Sequence, residues 1–225
     1  MLYTPADKVE LFADSLQTQF TPHPISYTWE HTERVKSFLN TYLQQTVIPP
    51  LLTFSPDQVT DTIHSLKPRK APGLDKLSNS ALKHLPVNML ESITDLFNGI
   101  MRTSHFPAPW KRAKIILIKK PHKSALLPEN FRPISLLPNL SKVFERLVYT
   151  HLLSHLHNTI RPEQFSFRHQ HATTLQLINI INSIADGFNK KLTTVSVFLD
   201  ISKAFDKVWH TGLLYKLAQT PLSPC

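Results

Sequence analysis

Along this 225-residue chain, apolar residues recur in runs short enough to be single elements, and proline separates the runs. Two amphipathic patches, 8–20 and 30–43, are divided by the loop-like Thr21-Pro22-His23-Pro24 and closed by Ile48-Pro49-Pro50. Ser55-Pro56-Asp57-Gln58 then sets a capping serine before a proline, with a glutamine three residues after the cap. Val59, Ile63 and Leu66 follow on one face, which predicts a helix over 56–66. Adjoining proline and glycine in Lys70-Ala71-Pro72-Gly73-Leu74-Asp75 predict a turn. A second helix is expected over 86–103, with Met89, Ile93, Phe97 and Ile100 in register.

The pattern then changes period. Residues 113–118 form a short run rich in β-branched side chains with cationic ends, which predicts a strand, and 131–137 is a second extended segment. Ser141 is expected to cap a helix carrying Phe144, Leu147, Val148, His151, Leu152 and His155 on one side. A further helix over 173–188 uses Leu177, Ile178, Ile181 and Ile184. In 193–200, Val195, Val197 and Leu199 alternate with Thr194, Ser196 and Phe198, and the run terminates in Asp200. An apolar strand ending in a carboxylate is the most informative local event in the chain.

Composition narrows the class. Hydrophobic residues make up 41% of the chain, enough for a core, which excludes general disorder. The only cysteine is Cys225, which excludes an intrachain disulfide and a multi-cysteine zinc site. His151, His155 and His157, and the pair His169 and His171, have metal-compatible spacings, but their helix needs apolar contacts at these positions and no cysteine joins them. The start, MLYTPADKVE, lacks a basic head and apolar run, and no stretch approaches the roughly 18 apolar residues of a membrane span. An intracellular protein without membrane attachment is expected.

Charge sharpens the picture further. The formal net charge is +9, yet residues 1–66 hold 3 basic and 7 acidic side chains, so 67–225 hold 22 and 9. Between Arg102 and Lys123 lie seven cations and no acidic residue. A solvated face has such a block, and so does a phosphate-binding surface; the density favours nucleic acid.

The segment Phe198-Leu199-Asp200-Ile201-Ser202-Lys203-Ala204-Phe205-Asp206 resembles the first catalytic motif of reverse transcriptases of non-LTR retrotransposons, the jockey and LINE type. Six further matches occur in family order: Lys70-Ala71-Pro72-Gly73-Leu74-Asp75, Phe106-Pro107 with Trp110-Lys111, Lys120-Pro121, Phe131-Arg132-Pro133-Ile134-Ser135, Ser141-Lys142-Val143-Phe144-Glu145-Arg146, and Gln164-Phe165-Ser166-Phe167-Arg168. The resemblance implies an α+β chain forming part of a right-hand polymerase: an acidic lead-in over 1–54, a fingers region over 55–192, and the start of a palm over 193–225 whose first strand ends at Asp200.

It also implies roles. Asp200, with the backbone carbonyl of Ile201, would ligate Mg²⁺, whose hard charge suits oxygen ligands in phosphoryl transfer. Phe205 would disfavour a ribose 2′-hydroxyl on the incoming nucleotide, and Lys120 and Arg132 would hold its triphosphate. Gln164, Phe167 and Arg168 would contact the template. Read alone, these are a strand-end turn residue, a core aromatic and solvated cations. Asp206 is expected to pair with Lys203 or Lys207. Ser166 stands where the family usually has glycine, which would strain the loop if that position needs φ > 0.

No acidic residue follows Asp206 in the sequence, whereas the family completes its site with two adjacent aspartates beyond a Pro-Gln-Gly segment. The expectation is a fragment truncated before the Asp-Asp motif and inactive alone. Its implied partners are RNA template, DNA primer and deoxynucleoside triphosphates in a cytoplasmic or nuclear ribonucleoprotein. Two alternatives are a residual non-specific RNA- or DNA-binding module and a chain that acts by associating with a complete polymerase. An unpaired first palm strand would be an exposed apolar edge unless 173–188 covers it.

Overall fold

The computed structural model describes residues 4–21, 28–44, 52–125 and 127–220. Two helices come first, α1 (Pro5–Phe20) and α2 (Trp29–Leu43), capped by Thr4 and Thr28. They correspond to the two amphipathic patches. The core begins with α3 (Pro56–His64), where Ser55 accepts from the Gln58 amide at 3.2 Å while Gln58 Oε1 accepts from the Ser55 amide at 2.9 Å. This reciprocal box satisfies two orphan donors and starts the helix as expected.

After the short α4 (Asn79–Lys83) comes α5 (Val87–Thr103). Its buried face is Leu90, Ile93, Thr94, Phe97 and Ile100, while Met89 is half exposed. The expected register was therefore one residue off at its first position: counting back from Ile93, i−3 rather than i−4 meets the neighbouring elements. Asn98 on α5 grips the Phe54 backbone from both sides, accepting from its N–H at 2.7 Å and donating to its carbonyl at 3.0 Å. That pins the entrance of α3 to α5.

β1 (Lys114–Lys119) and β2 (Phe131–Leu136) pair antiparallel, with Ile116 opposite Ile134 and Ile118 opposite Arg132. The two-stranded hairpin leaves all four of its isoleucines exposed. α6 (Asn139–Leu156) starts two residues before the expected cap. Ser141 lies inside it, fully buried, and donates to Glu145 Oε1 at 3.2 Å. Pro138 precedes the helix instead, with fixed φ suiting a boundary.

The core sits where α3, α5 and α6 meet. Val59, Ile63, Ile93, Val143 and Leu147 surround an aromatic cluster in which Phe97 lies 5.4 Å from Phe144 and 6.0 Å from Trp110 between ring centroids. Edge and tilted pairs of this kind add about 0.5–1.5 kcal/mol each beyond area burial. A smaller cluster joins α2 to α8 (His210–Ala218), with Val35 and Leu39 buried and Phe38 edge-on to Tyr215 at 5.0 Å.

α7 (Thr173–Asn189) buries none of its residues, and its apolar face is exposed. Residues 192–201 are not a strand: they have no ladder partner among the described residues, and Leu199 is 90% exposed. The expected first palm strand thus has the alternation of a strand without a neighbour to pair its backbone, and α7 does not cover it. No helix among the described residues is long and apolar enough to cross a membrane.

Candidate functional site

Three segments carry the residues singled out from sequence. The hairpin presents Lys120 and Arg132. Because Ile118 pairs with Arg132, Lys120, two residues beyond Ile118, falls on the same face. The Lys120 N–H donates to the Asn130 carbonyl at 2.8 Å, and its ammonium donates to the Glu129 carbonyl at 2.6 Å. The ammonium is thereby held at the hairpin end by the short 3₁₀ turn Pro128–Asn130.

The loop at 161–171 is braced from within. Arg168 donates to the carbonyls of Arg161 at 3.1 Å and Gln164 at 3.4 Å, and Gln164 Nε2 donates to the Ser166 carbonyl at 3.1 Å. The two polar groups assigned to template contact are used here to close their own loop. Left-handed backbone occurs at Phe167 (φ 61°) and Gln170 (φ 61°), and Ser166 is not among the positive-φ residues. Ser166 therefore does not impose the feared strain. The unfavourable conformation falls on an aromatic residue, and it turns the Phe167 ring outward, 83% exposed.

The third segment is 200–209. Asp200 is exposed and makes no hydrogen bond or ion pair among the described residues, and Ile201 is exposed beside it. A turn follows in which Lys203 has φ 53° and accepts at its carbonyl from the Asp206 amide at 3.0 Å. The turn delivers Phe205 edge-on to Phe167, with ring centroids 5.8 Å apart at 89°. Two residues expected at the nucleotide and the template, far apart in sequence, are thus brought together.

Asp206 does not pair with Lys203 or Lys207. Its Oδ2 accepts from Gln19 Nε2 at 2.7 Å, while Lys207 donates to the Thr18 carbonyl at 3.4 Å. Further along the same helix, Phe12 packs edge-on to Phe131 at 4.9 Å, beside Arg132. Helix α1 therefore touches both the hairpin and the turn. Sequence reasoning missed this because amphipathicity says that a helix has an apolar face and not what that face meets; the only signal was Phe12 on it.

Among the described residues no three His, Cys, Asp or Glu side chains cluster so as to hold a metal ion. With Asp206 engaged by Gln19, segment 200–209 offers one available carboxylate, so these residues do not fit a two-ion centre by themselves. The His151 and His155 rings approach to 4.3 Å without a third ligand. Burial, and then the neighbouring His155, lower the His151 pKa below its usual 6.5.

Residues 118–225 match the family described as reverse transcriptase (RNA-dependent DNA polymerase). Over 223 residues, 98% of this chain, the sequence is 40% identical to the probable RNA-directed DNA polymerase from transposon X-element of Drosophila melanogaster. Residues 118–225 carry a reverse transcriptase domain. It is also 38% identical over 216 residues to the RNA-directed DNA polymerase from mobile element jockey of Drosophila melanogaster, and 39% identical over 224 residues to that of Drosophila funebris. The chain covers 24%, 23% and 24% of these three relatives, about a quarter of their length. The candidate site residues, from Lys120 to Phe205, fall within the matched 118–225, whereas the Lys70–Asp75 and Phe106–Lys111 motifs precede it.

Proposed function

We propose that these 225 residues are the fingers and the entrance of the palm of a non-LTR retrotransposon reverse transcriptase, and that they do not polymerise DNA alone. The similarity to RNA-directed DNA polymerases over nearly the whole chain carries this reading. In it, Lys120 and Arg132 on one hairpin face hold the triphosphate of an incoming deoxynucleotide, with Arg132 supplying a bidentate fork and Lys120 a point charge. Phe205 stands against the sugar. Phe167 offers a ring for a template base to stack on, and Gln164 and Arg168 shape the loop that presents it. Mg²⁺ would supply charge neutralisation at the phosphates; Asp200 and the Ile201 carbonyl contribute to a centre whose other carboxylates lie outside these residues. The substrates are an RNA template and a DNA primer, handled in a cytoplasmic or nuclear ribonucleoprotein.

Primer extension tests this directly. The 225-residue chain is expected to give no product, and adding the following segment of the jockey polymerase is expected to restore extension that Asp200→Ala abolishes. Extension by the 225 residues alone that disappears with Asp200→Ala would overturn the claim of inactivity. A second reading, a binding module without catalysis or an accessory to a complete polymerase, is favoured by the seven cations between Arg102 and Lys123. Its mark is RNA affinity that falls steeply with salt and complementation that never yields product.

A further inference from the structure

A cavity of ≈ 570 Å³ lies between the end of β2, the loop at 65–71 and the start of α6. Lys67 and Lys70 line it from the loop, and Lys142 and Arg146 from the helix. No acidic residue lines it. Among the described residues none of the four cations makes an ion pair; the three ion pairs are Lys36–Glu33, Arg161–Glu163 and Lys190–Asp186.

Four like charges around one space repel each other, so chance collapse would not hold them there. Buried contacts do. Asn79, 4% exposed, donates to the Lys67 carbonyl at 2.8 Å, and Asn139, 1% exposed, donates to the Leu77 carbonyl at 2.8 Å while accepting from Lys142 at 3.1 Å. Between them the loop backbone presses on the residues before α6: a Cβ on Gly73 would lie 2.5 Å from the Pro138 nitrogen and 2.6 Å from the Leu137 carbonyl carbon. These contacts fix the walls, and none of the four cations has an ion-pair partner among the described residues. A built space of this kind suits a phosphate oxyanion, to which ammonium and guanidinium groups make short charge-assisted hydrogen bonds.

The position indicates which phosphate. Leu136, at the end of β2, lines the cavity, and Arg132 stands four residues back on the same strand, about 13 Å away at the usual rise. A single nucleic-acid strand crosses that distance in a few nucleotides. We propose that the Lys67, Lys70, Lys142 and Arg146 cavity binds a backbone phosphate of a single-stranded nucleic acid, a second anchor a short way along the strand from the hairpin. The choice of a strand over a free phosphate rests on the functional reading above; the anion site itself rests on the cavity.

The test uses the full 225 residues with a fluorescent single-stranded RNA. The double variant Lys142→Gln with Arg146→Gln is expected to weaken binding about tenfold and to make the slope of log affinity against log salt shallower by about 0.7, the value for one phosphate contact. Lys8→Gln with Lys216→Gln removes the same charge outside both the cavity and the Arg102–Lys123 block and is expected to do less. Lys70→Gln with Arg146→Gln breaks no hydrogen bond seen in the structure and replaces the first variant should that one unfold. Equal losses for the cavity and control variants would overturn the site. RNA affinity unchanged by inorganic phosphate at the concentration that saturates the cavity would make it a free-phosphate site and overturn the strand. If binding behaves as expected while complemented primer extension stays absent, the anchor stands and the polymerase reading falls.

Discussion

Residues 52–148 and residues 157–205 are both rich in apolar side chains, yet only the first stretch folds around them. Phe97 is fully buried among Trp110, Phe144 and Ile63, whereas Phe198, with the same side chain, is 84% exposed. The difference is one of partners. In the first stretch three helices supply faces for one another; in the second, α7 and the 192–201 segment present apolar surface that nothing among the described residues covers. The residues assigned to chemistry lie in the second stretch and the hairpin, while the packed core has none of them.

The sharpest way to break this contrast is to truncate the same side chain in both places. Phe97→Ala is expected to cost about 3–5 kcal/mol, and Phe198→Ala no more than about 0.5 kcal/mol, in urea unfolding followed by tryptophan fluorescence. A large cost for Phe198→Ala would mean that the exposed stretch is packed in solution. Next in size are the glycines. Gly73→Ala drives a methyl into the Leu137–Pro138 backbone and is expected to lose about 1–3 kcal/mol. Gly99→Ala meets open space within α5 and is expected to gain about 0.5–1 kcal/mol by helix propensity, so the pair should move the melting temperature in opposite directions.

Helix starts give a third comparison. Ser55→Ala removes a complete capping box and is expected to cost about 1 kcal/mol, while Ala172→Asp supplies α7 with a cap it lacks and should raise its helicity by circular dichroism. The smallest effect concerns His151. Its pKa is depressed in the folded chain by burial and by His155, so the unfolded chain binds the proton more readily. The contribution is complete above the usual 6.5 and is lost as pH falls through the depressed folded value. A shallow fall in melting temperature from pH 7.5 to 5.5, flattened by His151→Gln, is the expected result.

Much of the first region was legible because its signals are local. The Ser55 box, the Pro72-Gly73 turn and the 114–119 strand each depend on neighbours a few residues away. Errors arose where the deciding contact was distant. Met89 and Leu90 both fit a helical period, and only packing chooses between them; Ser141 has a capping side chain but is buried inside α6, where its hydroxyl finds Glu145. The 193–200 alternation is that of a strand, but a strand is made by pairing, and pairing is not encoded in one segment. At the site, the motifs named Phe167 and Phe205 separately, and nothing in their spacing announced that the rings meet. The Gln19 contact to Asp206 was hidden for the same reason.

Helix α1 holds a mechanical implication. Sixteen residues make a rod about 24 Å long, rigid on the scale of side-chain motion. It rests at Phe12 on the hairpin that bears Arg132 and at Gln19 on the turn that bears Phe205. A crossbar fixed at two points keeps those points at one separation, so the gap between the hairpin at Arg132 and the turn at Phe205 is gauged by a helix that carries none of the proposed site residues.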